Sequence, residues 1–339
     1  MKLHRLLGLA ALGLSASLAQ AAGFRLIEVP ADAHGPALRG AVWTPCAAPA
    51  EKIAQPPLVL DGTQDCPVAG NGLPLVVFSH SKGGSSLLHH DTAAMLADAG
   101  FVVAAINHPG HNFQDMSGLG GLAVYANRPA DMRRLVDYML GAWPGRAALD
   151  ASRVGLFGFS AGGYTGLVAI GARPDFRLWA DRCAPDSTMP ACQAIRRNEQ
   201  PPMPPRDERI KAAVIVDPLS AFDATGLRPI AVPVQLWASA LGGDGVTPEA
   251  VEAVHHDLPT PPEWHAVPNS AHFAFIAPCT SAMAQAMPDI CRDPPGFDRA
   301  AFHADFNRKV LAFFQQFLTR LRLRPTSDMG AFLGAVASE

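Results

Sequence analysis

Gly158-Phe159-Ser160-Ala161-Gly162 is a G-x-S-x-G string, and its surroundings give it meaning. It follows an apolar stretch, Arg153–Phe157, and opens a segment of helical character from Ala161 to Ile170. A serine on such a strand-to-helix turn stands exposed at the carboxyl end of a sheet, where it can act as a nucleophile. The turn is tight, so the positions two before and two after the serine must be small. Gly163 and Gly166 would let the helix lie close to the sheet.

A serine hydroxyl needs a base, and in the Ser, acid, His order the base comes late in the chain. His272 fits, in Pro268-Asn269-Ser270-Ala271-His272-Phe273, just after an apolar stretch ending at Val267. His89, His90, His255 and His256 fall in expected helices and are expected to face solvent. His108 and His111 follow a strand end and are expected to line a cleft. His265 lies inside a strand. The acid that orients His272 is expected to be Asp244, in the loop Gly242-Gly243-Asp244-Gly245, with Asp217 at the end of the preceding strand as the alternative. Two backbone N–H groups must receive the oxyanion. One is expected from Ala161, after the nucleophile, and one from Lys82, in His80-Ser81-Lys82-Gly83-Gly84.

These residues need a scaffold, and the apolar pattern supplies one. Leu75–Ser79, Phe101–Ile106, Arg153–Phe157, Ile210–Val216, Val234–Ala238 and Trp264–Val267 read as short buried strands. Between them Leu88–Ala99, Ala126–Gly141, Ala161–Ile170 and Pro248–His256 read as helices, and Asp298–Leu321 as a long final one. Phe24–Val29 and Leu38–Trp43 read as a first strand pair. Residues 45–73 are rich in Pro, Gly and Asp and read as a loop. Strand–helix alternation with continuously apolar strands predicts an α/β fold: a mostly parallel sheet with helices on both faces and its chemistry at the carboxyl ends of the strands. Residues 172–209, with the run Pro201-Pro202-Met203-Pro204-Pro205, break the rhythm and read as a lid-like excursion.

The chain of 339 residues begins with Lys2, His4 and Arg5, an apolar run Leu6–Leu18, and Ala19-Gln20-Ala21. This is the pattern of a cleavable signal peptide, residues 1–21, on a protein exported to the periplasm or secreted. The run is too short to span a bilayer, which takes roughly 20 residues. The expected domain covers 22–324, and 325–339 read as a tail. Six cysteines fall into three local pairs, read as the disulfides Cys46–Cys66, Cys183–Cys192 and Cys279–Cys291. No Cys-x-x-Cys or close Cys/His cluster suggests a metal. A net charge of −3 gives no reason to expect nucleic acid or an anionic membrane as partner.

The strings VVFSHSKGG, GFVVAAINHPG, GFSAGG and NSAHFAF, in this order, resemble bacterial proteins known as predicted dienelactone hydrolases and, more distantly, platelet-activating-factor acetylhydrolases. The resemblance runs from about residue 24 to 320. It implies the α/β-hydrolase fold, a Ser–Asp–His triad with Ser160 and His272, and hydrolysis of small-molecule carboxylic esters without a cofactor. The acetylhydrolase relatives place the acid after the earlier strand, at Asp217. The chain departs from the pattern in two places. True dienelactone hydrolases use a cysteine nucleophile. The usual His-Gly of the oxyanion loop is His80-Ser81 here, and a serine is strained wherever φ is positive. An acyltransferase, or a silent hydrolase fold that binds ligands, would carry the same residues.

Overall fold

The computed structural model describes residues 21–319. The expected signal peptide, apart from Ala21, and the tail lie outside them. The continuously apolar runs Leu73–Ser79, Val102–Ile106 and Val234–Ser239 are buried throughout, and they belong to a set of ten strands among the described residues. In chain order they are β1 (Ala21–Val29), β2 (Leu38–Cys46), β3 (Glu51–Gln55), β4 (Leu58–Gln64), β5 (Leu73–Ser79), β6 (Val102–Ile106), β7 (Leu149–Phe159), β8 (Ile210–Val216), β9 (Val234–Ser239) and β10 (Glu263–Val267). The sheet order is β10-β9-β8-β7-β5-β6-β2-β1-β4-β3. The run from β10 to β6 is parallel, and β2 then pairs antiparallel with both β6 and β1.

The helices are α1 (His90–Asp98), α2 (Ala123–Gly141), α3 (Ala161–Ala169), α4 (Pro190–Arg196), α5 (Ala224–Leu227), α6 (Pro248–Asp257), α7 (Ser281–Ala286), α8 (Pro288–Cys291) and α9 (Arg299–Phe314). They cover both faces of the sheet, so each strand sends alternate side chains into two cores. On β5, Leu75 and Val77 join the core beneath α2 and α3, while Val76 and Phe78 join the core beneath α1 and α9. Among the described residues no helix is long and apolar enough to cross a membrane.

The chain leaves β5 toward β6 on one side and returns to β7 on the other. This is the point in an open parallel sheet where a crevice forms at the carboxyl ends. Ser160, Asp217 and His272 all follow carboxyl ends near it, after β7, β8 and β10.

The structure departs from the sequence reading at residues 45–73 and at His89. Residues 45–73 contain the hairpin β3–β4, and β4 joins β1 through Gly23–Thr63 and Phe24–Gln64. Ile53, Leu58 and Leu60 are its buried anchors, an alternation hidden among Pro and Gly. Residues 172–209 hold α4 and the turn Phe176–Arg182, and they pack on α2 and α3 through Trp179 against Tyr125, 4.9 Å apart. His89 does not face solvent: it is buried against Phe157 and Phe159, with ring centroids 4.9 and 5.4 Å away. The three cysteine pairs are joined as read, Cys46–Cys66, Cys183–Cys192 and Cys279–Cys291.

Among the described residues neither ring nitrogen of His89 has a hydrogen-bond partner, and burial pushes its pKa down to about 3. The unfolded chain, with the ordinary value near 6.5, binds one more proton than the fold between those two values. Stability is therefore lost as pH falls below about 6.5, at about 1.4 kcal/mol per pH unit for this one group. Urea unfolding of the oxidised protein from pH 6 to pH 4 tests this. His89→Leu should reduce the slope of stability against pH by one proton, and an unchanged slope contradicts the assignment.

Candidate active site

Ser160 sits at φ 58°, ψ −118°, a conformation that costs a non-glycine residue on the order of 1–3 kcal/mol. Backbone bonds hold it there. Its N–H donates to the Val216 carbonyl at 2.9 Å, and its carbonyl accepts from Leu219 and Tyr164 at 3.0 and 3.1 Å. The flanking glycines are required by contact. A Cβ on Gly158 would lie 2.1 Å from the Gly162 carbonyl oxygen, and one on Gly162 would lie 1.9 Å from that of Ser79. Gly166 lies against Leu156 and Ile215, and so brings α3 onto the sheet.

The Val216 carbonyl that holds Ser160 immediately precedes Asp217. Asp217 is fully buried, at φ 42°. Its carboxylate accepts from the Ser239 N–H at 2.9 Å, from the Ser239 hydroxyl at 2.7 Å and from His272 Nδ1 at 2.6 Å. With Nδ1–H given to Asp217, the His272 tautomer is fixed and Nε2 is left as a base. Nε2 is buried and has no hydrogen-bond partner among the described residues. The His272 ring stacks on Phe159, the residue before Ser160, with centroids 4.7 Å apart. The His272 N–H donates to the Gly242 carbonyl at 2.8 Å, which ties the β10 loop to the β9 loop.

Asp244, the acid favoured from sequence, does not meet His272. Its Oδ1 takes the Lys82 ammonium at 2.6 Å, a pair that joins the loops after β5 and β9. The reason is the backbone of its loop. Gly243, at φ 137°, packs on the His272 side chain, so that a Cβ there would lie 3.0 Å from His272 Cβ. The next residue, Asp244, has its carboxylate on Lys82 instead.

In the loop after β5, the Ser81 carbonyl is taken by His80 Nδ1 at 2.6 Å and by the Gly84 N–H at 3.2 Å. The trans peptide then turns the Lys82 N–H to the opposite side. The left-handed residue of this loop is Gly83, at φ 62°, so Ser81 is not the strained position that its departure from His-Gly suggested. Ala161 is the first residue of α3, where N–H groups lack intrahelical partners.

His108 and His111 do not line the cleft: both are buried beneath these loops. With them lies Arg128 of α2, which is fully buried and absent from the sequence reading. Its position on the apolar face, four before Met132 and seven before Leu135, was the available signal. Burial pushes the Asp131 carboxyl up to about 7 and the Arg128 guanidinium down to about 9.

A cavity of about 750 Å³ opens beside the site. The loop Ser81–Leu88, Leu58 of the β3–β4 hairpin, Phe273, Ile276 and Met283 line it, and Lys82 and Asp244 belong to its wall.

This architecture is a known one. A solved ferulic acid esterase from Streptomyces cinnamoneus superposes with a TM-score of 0.61 over 92% of this chain and 95% of that one, at 20% identity. The chain has the α/β-hydrolase fold. A family model described as platelet-activating factor acetylhydrolase, isoform II, matches residues 61–115. That stretch carries β5, the loop His80–Gly84 and the loop His108–Asp115, and ends before Ser160. No curated protein matches the sequence.

The glycine contacts generate a stability prediction. Gly158→Ala and Gly162→Ala should each destabilise the protein by about 1–3 kcal/mol or more, since backbone must move. Gly141, at the end of α2 with nothing within 4 Å of a Cβ, is the control; Gly141→Ala should stabilise by about 0.4–1 kcal/mol. Denaturant titrations that rank the three alike contradict the close-contact account.

Proposed function

We propose that this protein is an exported serine esterase that cleaves carboxylic esters through the triad Ser160–His272–Asp217. One observation carries the reading: a buried Asp217, held twice by Ser239, fixes the tautomer of a histidine whose ring stacks on Phe159, the residue before the strained Ser160. In this reading His272 Nε2 takes the Ser160 proton as Oγ attacks the ester carbonyl. Asp217 holds the imidazole and stabilises its charge without taking the proton. The Ala161 and Lys82 amides receive the oxyanion. His272 then returns the proton to the departing alcohol, and water, activated the same way, releases the acyl group.

The family-model match and the esterase neighbour support the ester as substrate. The cavity supports a sizeable apolar group on that ester, since its volume suits a ligand of drug size. Three disulfides support an oxidising destination, periplasmic or secreted. The 172–209 segment reads as a partial lid, because α4 is bonded to the loop beside the cleft through Ala191 N–H and the Gly120 carbonyl.

A p-nitrophenyl ester series of increasing acyl length tests the reading. Turnover should rise beyond the acetyl ester, and Ser160→Ala should lower kcat by about 10⁴-fold or more. Asp217→Asn should cost about 10²–10⁴-fold, because the imidazole can then settle in the wrong tautomer. Asp244→Asn should cost no more than about tenfold, since it breaks only a partly exposed ion pair worth about 0–1 kcal/mol. Asp244→Asn costing as much as Asp217→Asn would overturn the choice of acid.

A further inference from the structure

Arg128 presents an unusual economy. A buried guanidinium ordinarily takes a carboxylate partner, because removing the charge from water costs several kcal/mol. Here every group that Arg128 bonds is neutral. Its Nε–H donates to Thr165 Oγ1 at 2.9 Å and Nη1 to His111 Nδ1 at 3.0 Å. Its Nη2 donates to Ser79 Oγ at 3.2 Å and to the His80 carbonyl. The nearby acid, Asp131, accepts instead from His108 Nδ1 at 3.1 Å, and His108 Nε2 accepts from the Ser79 hydroxyl at 2.9 Å. The charge is thus spread through Ser79 and His108 to Asp131, and the guanidinium fork is left to grip three elements.

What it grips is specific. The Thr165 hydroxyl, which accepts from Nε, donates to the Ala161 carbonyl at 2.8 Å and so fixes the first turn of α3. The His80 carbonyl, held by Nη2, orients the His80–Ser81 peptide. The next peptide is fixed by the His80 ring. Its Nε2 accepts from the His108 N–H at 3.1 Å, so Nδ1 bears the proton that it gives to the Ser81 carbonyl. His111, bonded to Nη1, accepts from the Gly83 N–H at its own carbonyl. Both amides assigned to the oxyanion, Ala161 and Lys82, are therefore held in position from below by one side chain.

We propose that Arg128 is a positioning residue for the oxyanion hole: its fork sets the spacing between the loop after β5 and the nucleophile helix, and hence between the two donors. The inference rests on the esterase reading above. It predicts an effect on the transition state, where the oxyanion forms, and little on substrate binding. Lysine cannot replace arginine here, because a point charge cannot span Thr165, His111, Ser79 and His80 together.

The test is steady-state kinetics on the mature oxidised protein, with Arg128→Lys and Arg128→Met beside Ser160→Ala. Inhibition by a trifluoromethyl ketone, which adds Ser160 as a charged tetrahedral adduct, is measured on the same variants. Both Arg128 variants should lose about 10²–10³-fold in kcat, the scale of one oxyanion donor, with KM within a few-fold. Affinity for the ketone should fall in parallel. Thr165→Val keeps the side-chain shape and guards against an unfolded Arg128 variant. It should lose about tenfold in kcat, again with KM kept. Folded variants with unchanged kcat and ketone affinity, or with losses in KM alone, overturn the role of Arg128 while leaving the esterase reading intact if Ser160→Ala is dead. A wild-type protein that neither turns over esters nor binds the ketone overturns both.

Discussion

The contact between the Gly162 backbone and the Ser79 carbonyl governs the arrangement of this molecule. With less than 2 Å between that oxygen and the place of a Cβ, α3 and the end of β5 meet as backbone on backbone. That approach brings the β5 loop against the first turn of α3. It also forces Ser160 into a left-handed conformation, for which the bonds to Val216, Leu219 and Tyr164 compensate. The same bond to Val216 sets Ser160 beside Asp217, and Asp217 sets His272. The candidate site is thus a consequence of strand order and one close approach, and its side chains inherit their places from the sheet.

Below this contact lies a second layer of constraint. Arg128, His80, His108, His111, Ser79, Thr165 and Asp131 form a buried polar network in which each proton has one consistent position. Burial holds His80, His108 and His111 below the usual imidazole range, so they serve as neutral connectors of fixed direction. Such a network is costly to bury and is worth its cost only when every member is satisfied. The rigidity it confers falls on the two peptides after β5. Opposite, the Lys82–Asp244 pair links the β5 and β9 loops at the cavity wall with far less burial.

The fold was legible because parallel strands buried on both faces leave a plain mark: uninterrupted runs such as Val76-Val77-Phe78. The G-x-S-x-G string and His272 were legible for the same reason, since each follows such a run directly. Asp217 carried that signal too, as the residue closing Ile210–Val216, but Asp244 in its glycine-rich loop answered equally well to composition. What separated them is three-dimensional: Ser239, at the end of the neighbouring strand, bonds Asp217 twice, and no local pattern announces a partner 22 residues away. The β3–β4 hairpin escaped because its alternation is only a few residues long and its turn is Pro56-Pro57. His89 escaped because it precedes α1 and turns inward onto Phe157 and Phe159, whereas a helical face would have turned it out. Arg128 was written into an apolar helix face, a contradiction between charge and periodicity that marks a buried function more often than an error.

The central claim is that Asp217, and not Asp244, makes His272 the base for Ser160. The most direct measurement is the rate at which a fluorophosphonate labels the protein, followed by intact mass with the site read by peptide mapping, in wild type, Asp217→Asn and Asp244→Asn. The account predicts a single adduct on Ser160, a labelling rate reduced by orders of magnitude in Asp217→Asn, and a near-wild-type rate in Asp244→Asn. Fast labelling in Asp217→Asn, or an adduct elsewhere than Ser160, would contradict it.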